Sequence, residues 1–321
     1  MIDAGHRLTD KKLEELEELV GAEYKKAHRD MVGKLNAYMA QFQAEDRAQQ
    51  ALLRAGKITQ AEYQDWQKRH IMMGARWQAM RDTLAEDYHN TNVIARKLAY
   101  GTMKDVYALN HNYAIYQIQH DAKIQFAYTL YDRKTVERIL RDNPKLFHDP
   151  GKRMQARIAA NRDLRWNRRQ VNSAIMQGIM QGEPINKIAR RLELVTERNW
   201  NAAVRNARTA VTGAQNAGRV DGYRDAQEMG VKLMQEWVAT IDSRTRHEHR
   251  YLNGQRVPVG EPFETEEGDK IMYPGDPDAD FSLTMNCRCT IVGQIDGYET
   301  DRVEESPKMG DMTYDEWVEQ G

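Results

Sequence analysis

Two cysteines and two histidines toward the C-terminal end have the residue types of a metal site. Cys287 and Cys289 are separated by one residue and are the only cysteines of the chain. His247 and His249 lie upstream of them, also separated by one residue. Two thiolates with two imidazoles form a familiar donor set for tetrahedral zinc. A small, loop-rich domain with a thin core would gain stability from such a staple. The histidine spacing argues the other way. Residues two apart share a face on a strand but diverge on a helix, and 243–252 reads as one or two helical turns. In the plainer reading, Cys287 and Cys289 are ordinary residues of a last strand. Zinc is therefore a candidate, and no cofactor is certain.

Asp242, Arg246 and His249 fall three or four residues apart, and on a helix Arg246 and His249 would share a face. A cationic group, a histidine acid/base and an orienting carboxylate are what phosphodiester cleavage requires. The structural alternative gives each residue a local task. Asp242 caps the turn, Arg246 pairs with a carboxylate, and His249 bonds a loop carbonyl.

A third grouping is basic. Lys152, Arg153, Arg157, Arg162, Arg165, Arg168 and Arg169 surround one acid, Asp163, with Trp166 among them. Arginine suits phosphate because it stays charged and binds it in bidentate fashion. A solvated helix face is the alternative, but one acid cannot neutralise seven bases. The whole chain carries a formal net charge of -1, so any contact with DNA has to come from a local patch. No phosphate loop, dinucleotide fingerprint, serine elbow or metalloprotease motif occurs.

The elements that must position these groups are mostly helices. The 321 residues are 40% hydrophobic and 30% charged, with a mean hydropathy of -0.81. Apolar residues nevertheless recur regularly, which predicts helices with one wet face rather than disorder. Leu13, Leu16, Val20, Tyr24, Ala27, Met31, Leu35, Tyr38 and Phe42 follow gaps of three and four, predicting a helix over 9–54 that stops at Gly56. Thr59-Gln-Ala-Glu62 reads as a capping box for a second helix. Its stripe of Tyr63, Trp66, Met73, Trp77, Met80 and Leu84 would form the core of an antiparallel hairpin or a face for a partner. A third helix is predicted over 91–116. The segment 124–131 stays open between helix and strand, and 135–140 is a short helix before Pro144 and Pro150. Helix then runs to Gln181, breaks at Gly182-Glu-Pro184, resumes over 185–192 and again over 196–229. After Gly230 the pattern changes. Residues 233–241 suit a buried strand, the glycine- and proline-rich stretch beyond suits hairpins, and 289–292 suits a closing strand.

The N-terminus is polar and lacks an apolar signal core, and no run of about 18 apolar residues could span a bilayer. With only two cysteines, a reducing compartment is expected, and the protein would be made and folded in a cytoplasm. Residues 296–321 carry nine acids against Arg302 and Lys308. They read as a flexible tail with Tyr314 and Trp317 as docking anchors.

Several elements, taken in order, resemble the phage Mu F-like minor head proteins. They are Trp237-Val-Ala-Thr240-Ile-Asp242-Ser-Arg-Thr245-Arg246-His-Glu-His249, then Leu252-Asn-Gly254, then Tyr273-Pro274-Gly275-Asp276, then Asn286-Cys287-Arg288-Cys289. Ala207-Arg208-Thr209, Asn216, Gly218 and Tyr223 match the family's preceding helix, so the resemblance spans roughly 165–295. No histidine sits just before Asn286, a departure from relatives that look metal-binding. The resemblance implies a structural protein present in few copies, associated with the portal and active in head assembly, DNA packaging or delivery.

The combined expectation is a mainly α chain with a C-terminal α+β domain. It divides into a helical arm (1–134) built on a long hairpin, a helical connector (135–232) holding the basic segment 152–169, a small mixed domain with hairpins (233–295), and the acidic tail. The expected partners are the portal protein, the major capsid or scaffold protein, and double-stranded DNA, with no membrane during assembly. The expected place is the capsid interior at the portal vertex, after assembly in the host cytoplasm. Two other readings stay open: a nuclease or toxin-like enzyme seated in 233–295, and a DNA-binding adaptor acting outside the virion.

Overall fold

The structure is a computed structural model that describes residues 3–70, 74–142, 162–181, 183, 185–299 and 301–320. It is mainly helical, with small antiparallel sheets near the C-terminus. Helix α1 (Ala4–Arg54) begins a turn earlier than its apolar stripe suggests, because the Asp3 carboxylate accepts the His6 N–H at 2.8 Å and caps it. Gly56, at φ 67°, ends the turn with its N–H on the Leu53 carbonyl, and Lys57 N–H returns to Leu52. Thr59 and Glu62 form the expected capping box of α2 (Gln60–Lys68).

Helix α3 (Ala75–Ala122) joins the second half of the expected hairpin to the expected third helix in one element. Ile124–Gln125 forms the short strand β1, and the chain then reaches α4 (Arg133–Asp142). Helix α5 (Arg162–Met180) carries the arginines. Helix α6 (Ile185–Glu228) is continuous where two helices were expected, because the intervening Glu193, Leu194 and Val195 contain no breaker.

Strand β2 (Val231–Val238) alternates buried and less buried residues. It is the centre of an antiparallel sheet, between β3 (Arg256–Pro258) and β6 (Thr290–Tyr298). Trp237 stands opposite Ile291, and a bulge falls between Lys232 and Leu233. The short helix α7 (His247–Leu252), the hairpin β4 (Phe263–Glu264) and β5 (Lys270–Ile271), and the single turn α8 (Phe281–Thr284) fill the connection.

The chain folds into two compact units that do not follow the expected order of arm, connector, domain and tail. One consists of Met1–Glu17, Lys97–Gly151 and Arg205–Gly321; the other of Glu18–Arg96 and Lys152–Val204. The division falls inside α1, α3 and α6, whose apolar stripes run on unbroken. Stripes alone therefore gave no boundary. In the second unit Met31, Leu35 and Phe42 of α1 pack with Trp77, Leu84 and Tyr88 of α3, Val171 and Ile175 of α5, and Ile188 and Leu192 of α6. Each such side chain contributes about 1.5–3 kcal/mol by leaving water. Trp66 stacks on Phe42 and Tyr63, and Trp77 is fully buried. These positions of the second stripe are core, and Met73 lies outside the described residues. The α1 stripe finds its packing within the chain.

The expected flexible tail is ordered. Strand β7 (Glu304–Glu305) pairs with β1, a 3-10 turn follows (Pro307–Asp311), and then α9 (Tyr314–Gln320). Thr313 and Glu316 form a second capping box. Trp317 is 1% exposed and donates to Gln119 at 2.8 Å, with its ring stacked on Tyr128. Tyr314 packs against Tyr113 and Tyr116. The acids point outward while these aromatics anchor the segment to its own chain, so composition alone misread it.

Candidate functional site

Most of the motif residues meet between α6 and the segment 273–291. On α6 the residues Thr209, Thr212, Asn216, Arg219 and Tyr223 follow gaps of three and four and form one polar stripe. Each of the first four bonds backbone of that segment. Thr209 Oγ1 accepts the Asn286 N–H at 2.8 Å, and Thr212 Oγ1 donates to the Cys287 carbonyl at 2.9 Å. Asn216 donates to the Pro274 carbonyl at 3.1 Å and accepts the Ile291 N–H at 3.0 Å. Arg219 donates to the Ile291 carbonyl at 2.8 Å. Its guanidinium is fully buried and forms a two-pronged pair with Asp3 at 2.6 and 2.7 Å.

Backbones also meet directly. A Cβ on Gly275, whose φ is +81°, would lie 2.6 Å from the Gly213 nitrogen. Gly218 packs on the Tyr107 carbonyl in the same manner. Arg208 turns aside to pair with Glu17 at 2.5 Å. Asn286 takes the left-handed φ of 54° that swings the chain into Cys287.

The three residues considered for phosphodiester chemistry go to different partners. Asp242 accepts both prongs of Arg288 at 2.6 and 2.8 Å, and also caps the turn at Arg244 N–H. These bonds, that of Arg288 first, hold its carboxyl well below the usual range. Arg246 donates to the Met285 carbonyl rather than to a carboxylate. His249 is 2% exposed, sits edge-on to Trp237, and bonds the Leu283 carbonyl through Nε2 at 2.8 Å.

Of the four candidate metal ligands, the structure brings three together. His249 Nδ1 lies 3.3 Å from Cys289 Sγ and 3.6 Å from Cys287 Sγ, and all three residues are buried. Hydrogen bonds from Cys287 first, then His249, bring the Cys289 thiol down to about 5, while sharing with Cys289 and burial push the Cys287 thiol up. His247 does not join them. On helix α7 its ring turns to the opposite, exposed side and pairs with Glu266 at 2.5 Å, which raises its pKa.

On α5, Arg162, Arg165 and Arg169 are exposed and Arg168 is half-buried. With Arg81 and Trp166 they line an open groove of about 1050 Å³. Arg168 reaches Asp82 at 3.1 Å. Lys152, Arg153 and Arg157 lie outside the described residues.

Residues 169–292 match the family model described as Phage Mu protein F like protein. This stretch is similar to the phage Mu F-like proteins. The Mu F-like stretch thus holds the polar stripe of α6, the sheet, the cysteine pair and the C-terminal end of the arginine helix. The chain is 34% identical over 175 residues to an NAD(+)–arginine ADP-ribosyltransferase of Enterococcus faecalis, covering 52% of this chain and 34% of that protein. It is 33% identical over 129 residues to a minor head protein of Bacillus phage SPP1, covering 39% of this chain and 40% of that one. The chain therefore spans between a third and two-fifths of these relatives' lengths. No solved structure matches.

Sequence reasoning found the Mu F-like motif but missed Thr212, Gly213 and Arg219 on its helix. The signal was available in the spacing, since polar residues at helical gaps beside an apolar face mark a buried polar seam. It also missed Arg288 as the partner of Asp242, for which spacing along the chain carries no signal.

Proposed function

We propose that this chain is a structural minor head protein of a tailed bacteriophage, acting at the portal vertex in head morphogenesis and in DNA packaging or delivery. The observation that carries the reading is the Mu F-like stretch, whose motif residues hold backbone together between α6 and 273–291. Asp242, Arg246 and His249 each hold a separate partner, as a scaffold requires. The similarity to an SPP1 minor head protein supports the same role. The enzyme-named relative is matched over only 34% of its length. No helix among the described residues is long and apolar enough to cross a membrane.

In this reading the helices of the chain dock on portal subunits, with the major capsid or scaffold protein as further neighbours in the capsid interior. The arginines of α5 face double-stranded DNA, which an open basic groove suits through phosphate contacts. The deciding experiment is co-expression with the portal protein of the same phage, followed by size exclusion with mass measurement. A defined co-complex supports the reading. A chain that runs alone at every concentration tested overturns portal binding.

A further inference from the structure

We propose that His249, Cys287 and Cys289 bind one zinc ion that ties α7 to the start of the closing strand β6. The geometry of the three side chains does not depend on any role in the phage head. Donors around tetrahedral zinc stand about 3.5 Å apart for nitrogen and sulfur, given bonds of about 2.0 and 2.3 Å. His249 Nδ1 stands 3.3 and 3.6 Å from the two sulfurs, and all three donor atoms fall within 4.8 Å of one another.

The ring is also oriented as a ligand. Its Nε2 bonds the Leu283 carbonyl at 2.8 Å, which places the ring proton there and leaves the Nδ1 lone pair directed at the sulfurs. A single lone pair can accept one thiol proton well. Both sulfurs stand within 3.6 Å of Nδ1, the spacing that a cation shared by all three donors would give.

The supporting shell is built to match. Cys289 N–H donates to Cys287 Sγ at 3.3 Å, a bond that favours a thiolate. Thr212 holds the Cys287 carbonyl, so the backbone that presents the sulfurs is fixed from α6. Arg288, between the cysteines, turns the other way to Asp242. The staple would add to the core that α7 and β6 already share, because α7 buries only His249 and Leu252 and one of them would be a ligand. The sulfur and imidazole donors select zinc over magnesium or calcium. Three protein ligands leave the fourth position to water.

The test is elemental analysis of the reduced full chain after expression without added metal, then cobalt(II) titration of the chelator-stripped protein. We expect about one zinc per chain, and a cobalt spectrum with a sulfur charge-transfer band and intense tetrahedral bands. C289S and H249A should reduce zinc to background, while H247A should retain it, because His247 faces Glu266 instead. Should C289S or H249A fail to fold, the wild-type measurements alone decide. Wild type free of zinc, with stripped protein giving only the pale spectrum of hydrated cobalt, overturns the site. So does H247A losing zinc as fully as H249A.

Discussion

The Mu F-like seam and the arginine helix use the same residue type in opposite ways. On α6, Arg219 is fully buried, and its guanidinium bonds Asp3, Asn110 and the Ile291 carbonyl. On α5, Arg162 and Arg169 are exposed around a groove. A buried guanidinium is stable only when its donors are matched, so it specifies where chain segments meet. An exposed one has little effect on stability and is available to a polyanion. Arginine content alone does not separate these roles, but burial and partners do.

The contrast can be broken most forcefully at Arg219. R219A would leave Asp3 buried without its cation and the Ile291 carbonyl without its donor. It should cost about 3–5 kcal/mol, read as a collapse of the urea midpoint or loss of soluble protein. A near-neutral result would mean that the seam is not held by this pair.

Two glycines sharpen the same point. At Gly275 and Gly254 the φ values are nearly equal, +81° and +82°. G254A adds a Cβ with no neighbour within 4 Å, so only backbone strain is expected, about 1 kcal/mol. G275A adds that strain plus a clash with Gly213 backbone, and should cost about 2 kcal/mol or more beyond it. Equal midpoint shifts in urea would mean that the close backbone approach does not matter.

Asp3 supplies a pH signature for the seam. Burial pushes its carboxyl up, but the charge and hydrogen bonds of Arg219, with the His6 N–H, outweigh that and leave it below the usual value. The folded state therefore holds the proton less tightly than the unfolded chain. The stability from this group is fully present above the ordinary carboxylate pKa near 3.9 and is lost as pH falls through the lower folded value. D3N should be less stable than wild type at pH 6, and the two should converge as pH drops below about 4. Curves that stay parallel would remove Asp3 from the account.

The smallest effect on stability should come from α5. R165E with R168E should change the unfolding free energy, read from urea melts, by about 1 kcal/mol or less, since Arg168 and its ion-pair partner Asp82 are both partly exposed. The same double variant should lose salt-dependent retention on DNA, with the salt slope falling by about two contacts. Unchanged retention would assign the basic face to solvation.

Much of the local structure could be read along the chain. The α1 stripe, the Gly56 stop, the Thr59 capping box and the β2 alternation each depend on neighbours a few residues apart. The second capping box at Thr313 was equally readable, but the acidity around it suggested a tail. The candidate site was legible only in part. Cys287, Cys289 and His249 were named together and do meet, whereas His247 turns away, as the divergence of residues two apart on a helix implies.

The sequence by itself determined the elements and the Mu F-like motif, because helix periodicity, caps and turns are set by residues close along the chain. Tertiary structure alone decided which polar groups are bound and which remain available. Asp3 and Arg219 lie 216 positions apart, and Asp242 and Arg288 lie 46 apart. Such pairings arise only when packing removes water and forces each buried charge and backbone group to find a partner.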